Sequence, residues 1–176
     1  MKIFPLTLLF LFISLQSYSQ EPIYFENGNG VLKGNLNQGK PMEDLSWAWK
    51  SNNACFPETQ KNKFTGNHVL YYTDLPAYSE MEVTVVPKNR RANFSIYAYQ
   101  VGTVSEKNIV PNLNGCVSCE AEHKWDYKKR GRTQNHTRTV KNLTAIANPF
   151  QVVIGVTGAD GLAEGEYELH VKLKTR

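Results

Sequence analysis

The chain has 176 residues, of which 41% are hydrophobic and 20% are charged. This length allows one domain with a substantial hydrophobic core and, once a leader is set aside, excludes two. The 20 Lys and Arg residues exceed the 16 Asp and Glu residues by four. A net charge this small says little by itself about the partners of the protein.

The first twenty residues have the order of a secretory signal peptide. A positive charge at Lys2 precedes an apolar run from Ile3 to Leu15, and small and polar residues follow as far as Gln20. The run is shorter than the roughly 20 apolar residues that span a bilayer, and no later run comes close. We therefore predict cleavage near residue 20 and a secreted or periplasmic mature chain without a membrane span.

After residues 1–20, the pattern predicts a flexible lead-in over 21–30 and one domain over 31–176. The lead-in is rich in Asn and Gly, whereas short β-branched and aromatic runs separated by turn residues follow it. Hardly any segment has apolar residues at helical spacing. The pattern predicts an all-β fold, a single jelly-roll-like β-sandwich with one long Cys-containing insertion. The predicted strands are Val31–Asn35, Leu45–Lys50, His68–Thr73, Met81–Pro87, Phe94–Val101, Thr137–Ala145, Gln151–Thr157 and Glu166–Lys174.

The order of apolar and polar residues in several of these segments also predicts which side chains are buried and which segments are connections. Apolar and polar residues alternate in Tyr167–Leu173, which places His170 on the outward face of a half-buried strand. Val152–Val156 is continuously apolar, as in a central strand. Lys88–Ala92 is predicted to be a hairpin connection. In residues 102–136 the apolar residues show only weak periodicity. An insertion of that length is usually functional, held in place by a cross-link, or disordered.

Four segments carry a resemblance to a known family. They are Phe64–Leu75, Met81–Val85, Ala92–Tyr99 and Gly165–Val171. Over roughly residues 64–173 the chain resembles the bacterial pre-peptidase C-terminal domain. The resemblance implies a jelly-roll-like β-sandwich that assists secretion, substrate adhesion or calcium binding, usually as an appendage of a secreted enzyme. Members commonly place Asp residues before the Tyr-containing strand, where this chain has Ala92, Asn93 and Ser95.

The three cysteines predict one disulfide and one remaining thiol in an exported protein. A link from Cys55 to Cys116 or Cys119 closes a loop of about 60 residues and stabilises by about 4 kcal/mol, against about 2 kcal/mol for the link between Cys116 and Cys119. We therefore favour the long link, which would pin the insertion. The alternative is a zinc site of Cys55, Cys116, Cys119 and His123, which ranks second because oxidising compartments consume free thiols.

The positive charge is concentrated in one segment, residues 124–141, which contains seven basic residues and one acidic residue. Charge combined with the aromatic rings of Trp125 and Tyr127 predicts contact with an anionic polymer such as an acidic polysaccharide, lipid headgroups or nucleic acid. The alternative is a solvated loop that keeps the protein soluble. The candidate ligand residues are Lys124, Trp125, Lys128, Lys129, Arg130, Arg132 and Arg138.

Two smaller groups of residues also offer ligand chemistry. Trp47 and Trp49 share one face of a predicted strand. If exposed, the two rings would form a platform for sugar rings, and if buried they would belong to the hydrophobic core. We favour the core. Asp160, Glu164 and Glu166 cluster before the last strand and could supply oxygen ligands to calcium. Their spacing is not that of a regular calcium loop, which favours a soluble turn.

No catalytic residue is predicted, because the chain lacks a Gly-x-Ser-x-Gly elbow, a His-Glu-x-x-His motif and a Gly-rich phosphate loop. The leading hypothesis is a secreted non-catalytic module that binds an anionic polymer, a glycan or another secreted protein. One alternative is a metal- or thiol-dependent secreted protein centred on the three cysteines. The other is a secreted hydrolase with an unrecognised site.

Overall fold

The computed structural model describes residues 20–26, 28–50, 53, 55–113, 115, 117–123 and 134–175. These residues form an all-β sandwich, the fold class that the sequence predicts, with ten strands in two sheets where eight strands are predicted. The strands are β1 (Ile23–Tyr24), β2 (Gly30–Asn35), β3 (Lys40–Pro41), β4 (Asn67–Leu75), β5 (Ser79–Pro87), β6 (Phe94–Val101), β7 (Ser118–Glu120), β8 (Arg138–Ala145), β9 (Phe150–Gly158) and β10 (Glu166–Thr175). Three short 3-10 helices are Leu36–Gln38, Ser46–Ala48 and Glu58–Phe64. Within the described ranges, no helix has the length and apolar character that crossing a membrane requires.

The long strands alternate between the two sheets. Sheet 1 has the order β1-β4-β9-β6-β7, with β3 also paired to β4, and sheet 2 has the order β2-β10-β5-β8. The chain therefore crosses from one sheet to the other between β4 and β5, between β5 and β6, and between β8, β9 and β10. This alternation is the jelly-roll-like arrangement that the sequence predicts. Residues 88–92 are not the predicted hairpin, because they lead from β5 in sheet 2 to β6 in sheet 1.

Seven of the eight predicted strands form, and the exception is Leu45–Lys50. There Ser46–Ala48 is a 3-10 helix: the Asp44 carboxylate accepts a hydrogen bond of 2.7 Å from the Ser46 amide, and the Ala48 amide donates to the Leu45 carbonyl at 3.0 Å. This local bond to the Asp side chain competes with extended structure. Within the predicted lead-in, β1 is instead a short strand that runs parallel to β4.

The main core lies between the two sheets and follows the predicted alternation. Val83 and Val85 of β5 pair with Val171 and Leu169 of the neighbouring strand β10, and Met81 and Tyr167 belong to the same buried cluster. Burial of each such side chain contributes roughly 1.5–3 kcal/mol. His170 lies on the opposite face of β10, half-buried, where its Nε2 atom is 3.1 Å from Glu168 Oε2.

A second core covers the outer face of sheet 1. It is built by residues 42–50, 55–64 and 104–121, described except for positions 114 and 116, and we call these segments the covering layer. The rings of Phe56 and Phe64 stack with centroids 3.9 Å apart. The layer explains why residues Val152–Val156 of β9 are continuously apolar: Val152 faces the main core and Val153 faces the second core.

Candidate binding surface

A disulfide between Cys55 and Cys119 fastens the covering layer to sheet 1. The two residues are 64 positions apart, and their Cα atoms are separated by 5.4 Å. Cys119 lies in β7 opposite Tyr97 of β6, so the bond ties the second covering segment, residues 55–64, to the edge of the sheet. This confirms the long link that the sequence favours and resolves its partner. Disulfides are typical of proteins in oxidising compartments outside the cytoplasm.

The described residues of the predicted zinc site do not provide a set of thiolate ligands. Cys55 and Cys119 are bonded to each other, so neither sulfur is available as a thiolate ligand. His123 is exposed, and Cys116 lies outside the described residues. Among the residues that the structure describes, no three His, Cys, Asp or Glu side chains are close enough together to hold a metal ion.

Most of the predicted basic surface lies outside the described residues. These positions are Lys124, Trp125, Lys128, Lys129, Arg130 and Arg132. The chain that leads into them is held at Glu122, whose Oε2 atom accepts a hydrogen bond of 2.6 Å from Lys63 Nζ and one of 3.1 Å from Asn93 Nδ2. The hydrogen bond from Lys63 lowers the pKa of Glu122, and the Lys63 and Glu122 side chains are each 18% exposed.

Arg138, the remaining predicted basic ligand residue, holds the other flank of the segment. Its side chain is only 6% exposed, and its Nε atom donates to the Phe94 carbonyl oxygen at 3.3 Å. Because β8 begins at this residue and turns it inward beside β6, Arg138 supports the fold. The prediction that it belongs to an exposed ligand surface is wrong.

The loop of residues 88–93 lies against one described flank of the basic segment, and the residue that follows the loop contacts the other. Its Asn93 side chain contacts Glu122, and the next residue, Phe94, contacts Arg138. Arg90 and Arg91 in this loop are exposed. We call the loop together with the described flanking residues, 122–123 and 134–138, the basic end. The sequence predicts this loop only as a connection, although its Lys-Asn-Arg-Arg run is visibly basic.

The predicted calcium residues lie near this loop but have separate partners. Asp160 Oδ1 accepts a hydrogen bond of 2.8 Å from Asn62 Nδ2, and Glu166 forms an ion pair with Lys88. Glu164 is exposed between them in sequence. The described residues therefore do not gather these three carboxylates into one cation site.

Two open clefts flank the segment that carries these carboxylates. The first has a volume of about 510 Å³, and its polar lining consists of Asn35, Asn89, Arg91, Glu164 and Glu166. The second has a volume of about 660 Å³, and its polar lining consists of Asn37, Asn67, Asp160 and Glu164. Leu162 and Glu164 line both clefts. The first cleft therefore connects the Arg91 loop with the second cleft.

The predicted tryptophan platform does not form. Trp47 is 0% exposed, with its ring centroid 5.2 Å from that of Tyr97, and its Nε1 atom donates to Met42 Sδ at 3.1 Å. Trp49 is half-buried against Phe56. With a 3-10 helix in place of the predicted strand, the two rings no longer share a strand face.

These features define the class of the protein as an all-β sandwich with a disulfide-fastened covering layer and a basic end. The chain is similar to the pre-peptidase C-terminal domain of a collagenase from Bacillus anthracis, with 13% identity, a TM-score of 0.41, and coverage of 89% of this chain and 99% of that one. That domain is of the family that the sequence resembles. The chain is also similar to CorA, a surface-associated copper-binding protein of Methylomicrobium album BG8, with 10% identity, a TM-score of 0.48, and coverage of 88% and 98%. No protein-family model and no curated protein matches the chain.

Proposed function

We propose that this protein is a secreted, non-catalytic module that binds an anionic polymer at its basic end. The observation that carries the proposal is the contact between Glu122, on the described flank of the basic segment, and Asn93, in the loop that bears the exposed Arg90 and Arg91. Guanidinium groups bind carboxylate, sulfate and phosphate oxygens through paired hydrogen bonds, which suits them to such a polymer.

Anchoring of the basic end supports the same proposal. Lys63 and Asn93 hold Glu122 on one side of the segment, and Phe94 holds Arg138 on the other. The Cys55–Cys119 bond fastens the covering layer beneath it. Flanks that are fixed before the ligand arrives reduce the ordering cost of binding.

The two clefts offer hydrogen-bonding groups to a ligand: among their described lining residues, the polar groups are amides, carboxylates and one guanidinium. Secretion is supported by the leader pattern and by the disulfide.

Retention on immobilised heparin tests the proposal. We expect the wild-type protein to bind at low salt and to elute as the salt concentration rises, because such contacts are screened by salt. The double substitution Arg90→Ala with Arg91→Ala should lower the eluting salt concentration clearly. The matched control is Lys172→Ala with Lys174→Ala, which removes the same charge from the exposed face of β10. The proposal fails if the wild-type protein is not retained or if both double variants shift equally.

A further inference from the structure

We infer that two copies of this chain associate through the edge strand β2, so that sheet 2 of one copy continues into sheet 2 of the other. The two β2 strands pair antiparallel and symmetrically about Leu32. The inference concerns one side of the sandwich rather than the basic end, and it therefore does not rest on the proposed function.

The outer side of β2 carries free backbone groups. The Leu36 amide, just past the end of the strand, donates to the Gly165 carbonyl at 3.1 Å. Because bonded and non-bonded pairs alternate in an antiparallel ladder, every second residue before Leu36 also bonds to β10. The positions between them include Val31 and Lys33, whose amide and carbonyl groups therefore point outward. No strand in the described part of the chain pairs with that side of β2.

The other edges of the two sheets are protected against such pairing. The register between β8 and β5 shifts between Met81 and Val83, and Asn142 of β8 has a positive φ of 62°, which marks a bulge. The Gln100 side chain also donates to the Thr144 carbonyl of β8 at 3.0 Å. The edge strands β1, β3 and β7 have only two or three residues each. In contrast, β2 keeps a regular register with β10 over all six of its residues, which leaves it as an open template for another strand.

The space between the two sheets is also incompletely closed on this side. Ile23 of β1 is aligned with the main-core residue Tyr71 but is 45% exposed, and Leu32 of β2, which packs against the main core, is only half-buried. A Cβ atom on Gly30 would lie 3.2 Å from the Phe25 ring, so the chain after β1 lies against β2. Apolar side chains beside an unpaired edge favour association with a further strand.

A second copy of β2 is complementary to this edge in one register. When Leu32 faces the partner's Leu32, each Val31 faces the partner's Lys33, and each such pair exchanges both of its backbone hydrogen bonds. Val31 is 53% exposed, so the aliphatic stem of the facing lysine covers it. Gly30 then faces the partner's Gly34, where no side chain hinders the approach. A register centred on Lys33 would instead place two lysines directly opposite each other, which is unfavourable.

Sedimentation velocity of the secreted protein, from about 1 µM to about 1 mM, tests the inference, and we expect a monomer–dimer equilibrium in that range. Val31→Lys should weaken the dimer about tenfold, because symmetry places two pairs of like charges opposite each other. Val31→Glu should tighten the dimer, because the new carboxylate faces the partner's Lys33. Ile146→Lys adds the same charge at a 71% exposed position in the loop after β8, and as the matched control it should change the dissociation constant less than about twofold.

Three results would overturn the inference. The first is a protein that stays monomeric up to about 1 mM, which would leave a strand of a different protein as the occupant of this edge. The second is equal weakening by Val31→Lys and Ile146→Lys, which would place the contact elsewhere. The third is weakening by both Val31→Lys and Val31→Glu, because a like-charged pair at both signs means that Val31 faces its own copy. Circular dichroism of each variant shows that the sandwich still folds.

Discussion

The Nδ1 atom of His68 lies 3.0 Å from the hydroxyl oxygen of Tyr97, where the covering layer meets sheet 1. The Nε2 atom of the same ring lies 2.9 Å from the Phe64 carbonyl oxygen, which can only accept. The ring proton is therefore on Nε2, and Tyr97 donates to Nδ1. Burial lowers the pKa of His68 from 6.5 to about 4, so the neutral ring joins the layer to the sheet.

The lowered pKa of His68 predicts that the free energy of unfolding falls as the pH is lowered from 6.5 towards 4.5. In that window the unfolded ring takes up a proton and the folded ring does not, so protonation favours the unfolded state. The full difference in pKa corresponds to roughly 3 kcal/mol. Urea denaturation at stepped pH measures it. His68→Gln should flatten the pH dependence, and an unchanged slope in this variant would contradict the assignment.

The disulfide predicts an asymmetric response to cysteine substitution. Cys55→Ser opens a closed loop of 64 residues and should lower the free energy of unfolding by about 4 kcal/mol on the loop-entropy model. Cys116→Ser is the matched control, because it leaves the Cys55–Cys119 bond intact. Thiol titration of the denatured protein should find one free thiol in the wild type and none in Cys116→Ser. Equal destabilisation by the two substitutions would refute the pairing.

Close packing over Gly155 predicts that a single added methyl group is costly. A Cβ atom at this position would overlap the ring of Tyr97, which lies across the central strand β9. Gly155→Ala should therefore destabilise by about 3 kcal/mol, at the upper end of what overpacking costs. Gly102→Ala has no atom within 4 Å of its new methyl group and serves as control. Thermal unfolding compares them, and equal melting temperatures would contradict the packing.

The hydroxyls of Tyr71 and Tyr167 form a buried hydrogen bond of 2.8 Å in the main core. Tyr167→Phe removes one hydroxyl and leaves the other without this partner, which should cost about 1–3 kcal/mol. The double substitution with Tyr71→Phe should recover part of that loss, because no hydroxyl then remains. A double-mutant cycle by urea denaturation measures the coupling energy. Strictly additive losses would show that the bond contributes nothing.

Local pattern predicted most of the strands and missed the shortest ones. The alternation in Met81–Val85 reflects burial on one face, and this property follows from the backbone geometry of any strand. Strands β1, β3 and β7 have only two or three residues, too few to show a period. Leu45–Lys50 was wrongly predicted as a strand because Leu45, Trp47 and Trp49 occupy alternate positions. The hydrogen bond that the Ser46 amide donates to the Asp44 carboxylate favours a 3-10 helix there instead.

The amino-acid sequence by itself determined that this chain is an all-β sandwich with a concentrated basic segment, because strand periodicity and charge are local quantities, and it favoured a long disulfide link without deciding the partner. Only the tertiary structure decided which strands are neighbours, that Cys119 is the partner of Cys55, and that Arg138 is buried. It also brought the Arg90–Arg91 loop to one described flank of the basic segment. Those relationships join residues tens of positions apart, and they depend on how two sheets and a covering layer pack together.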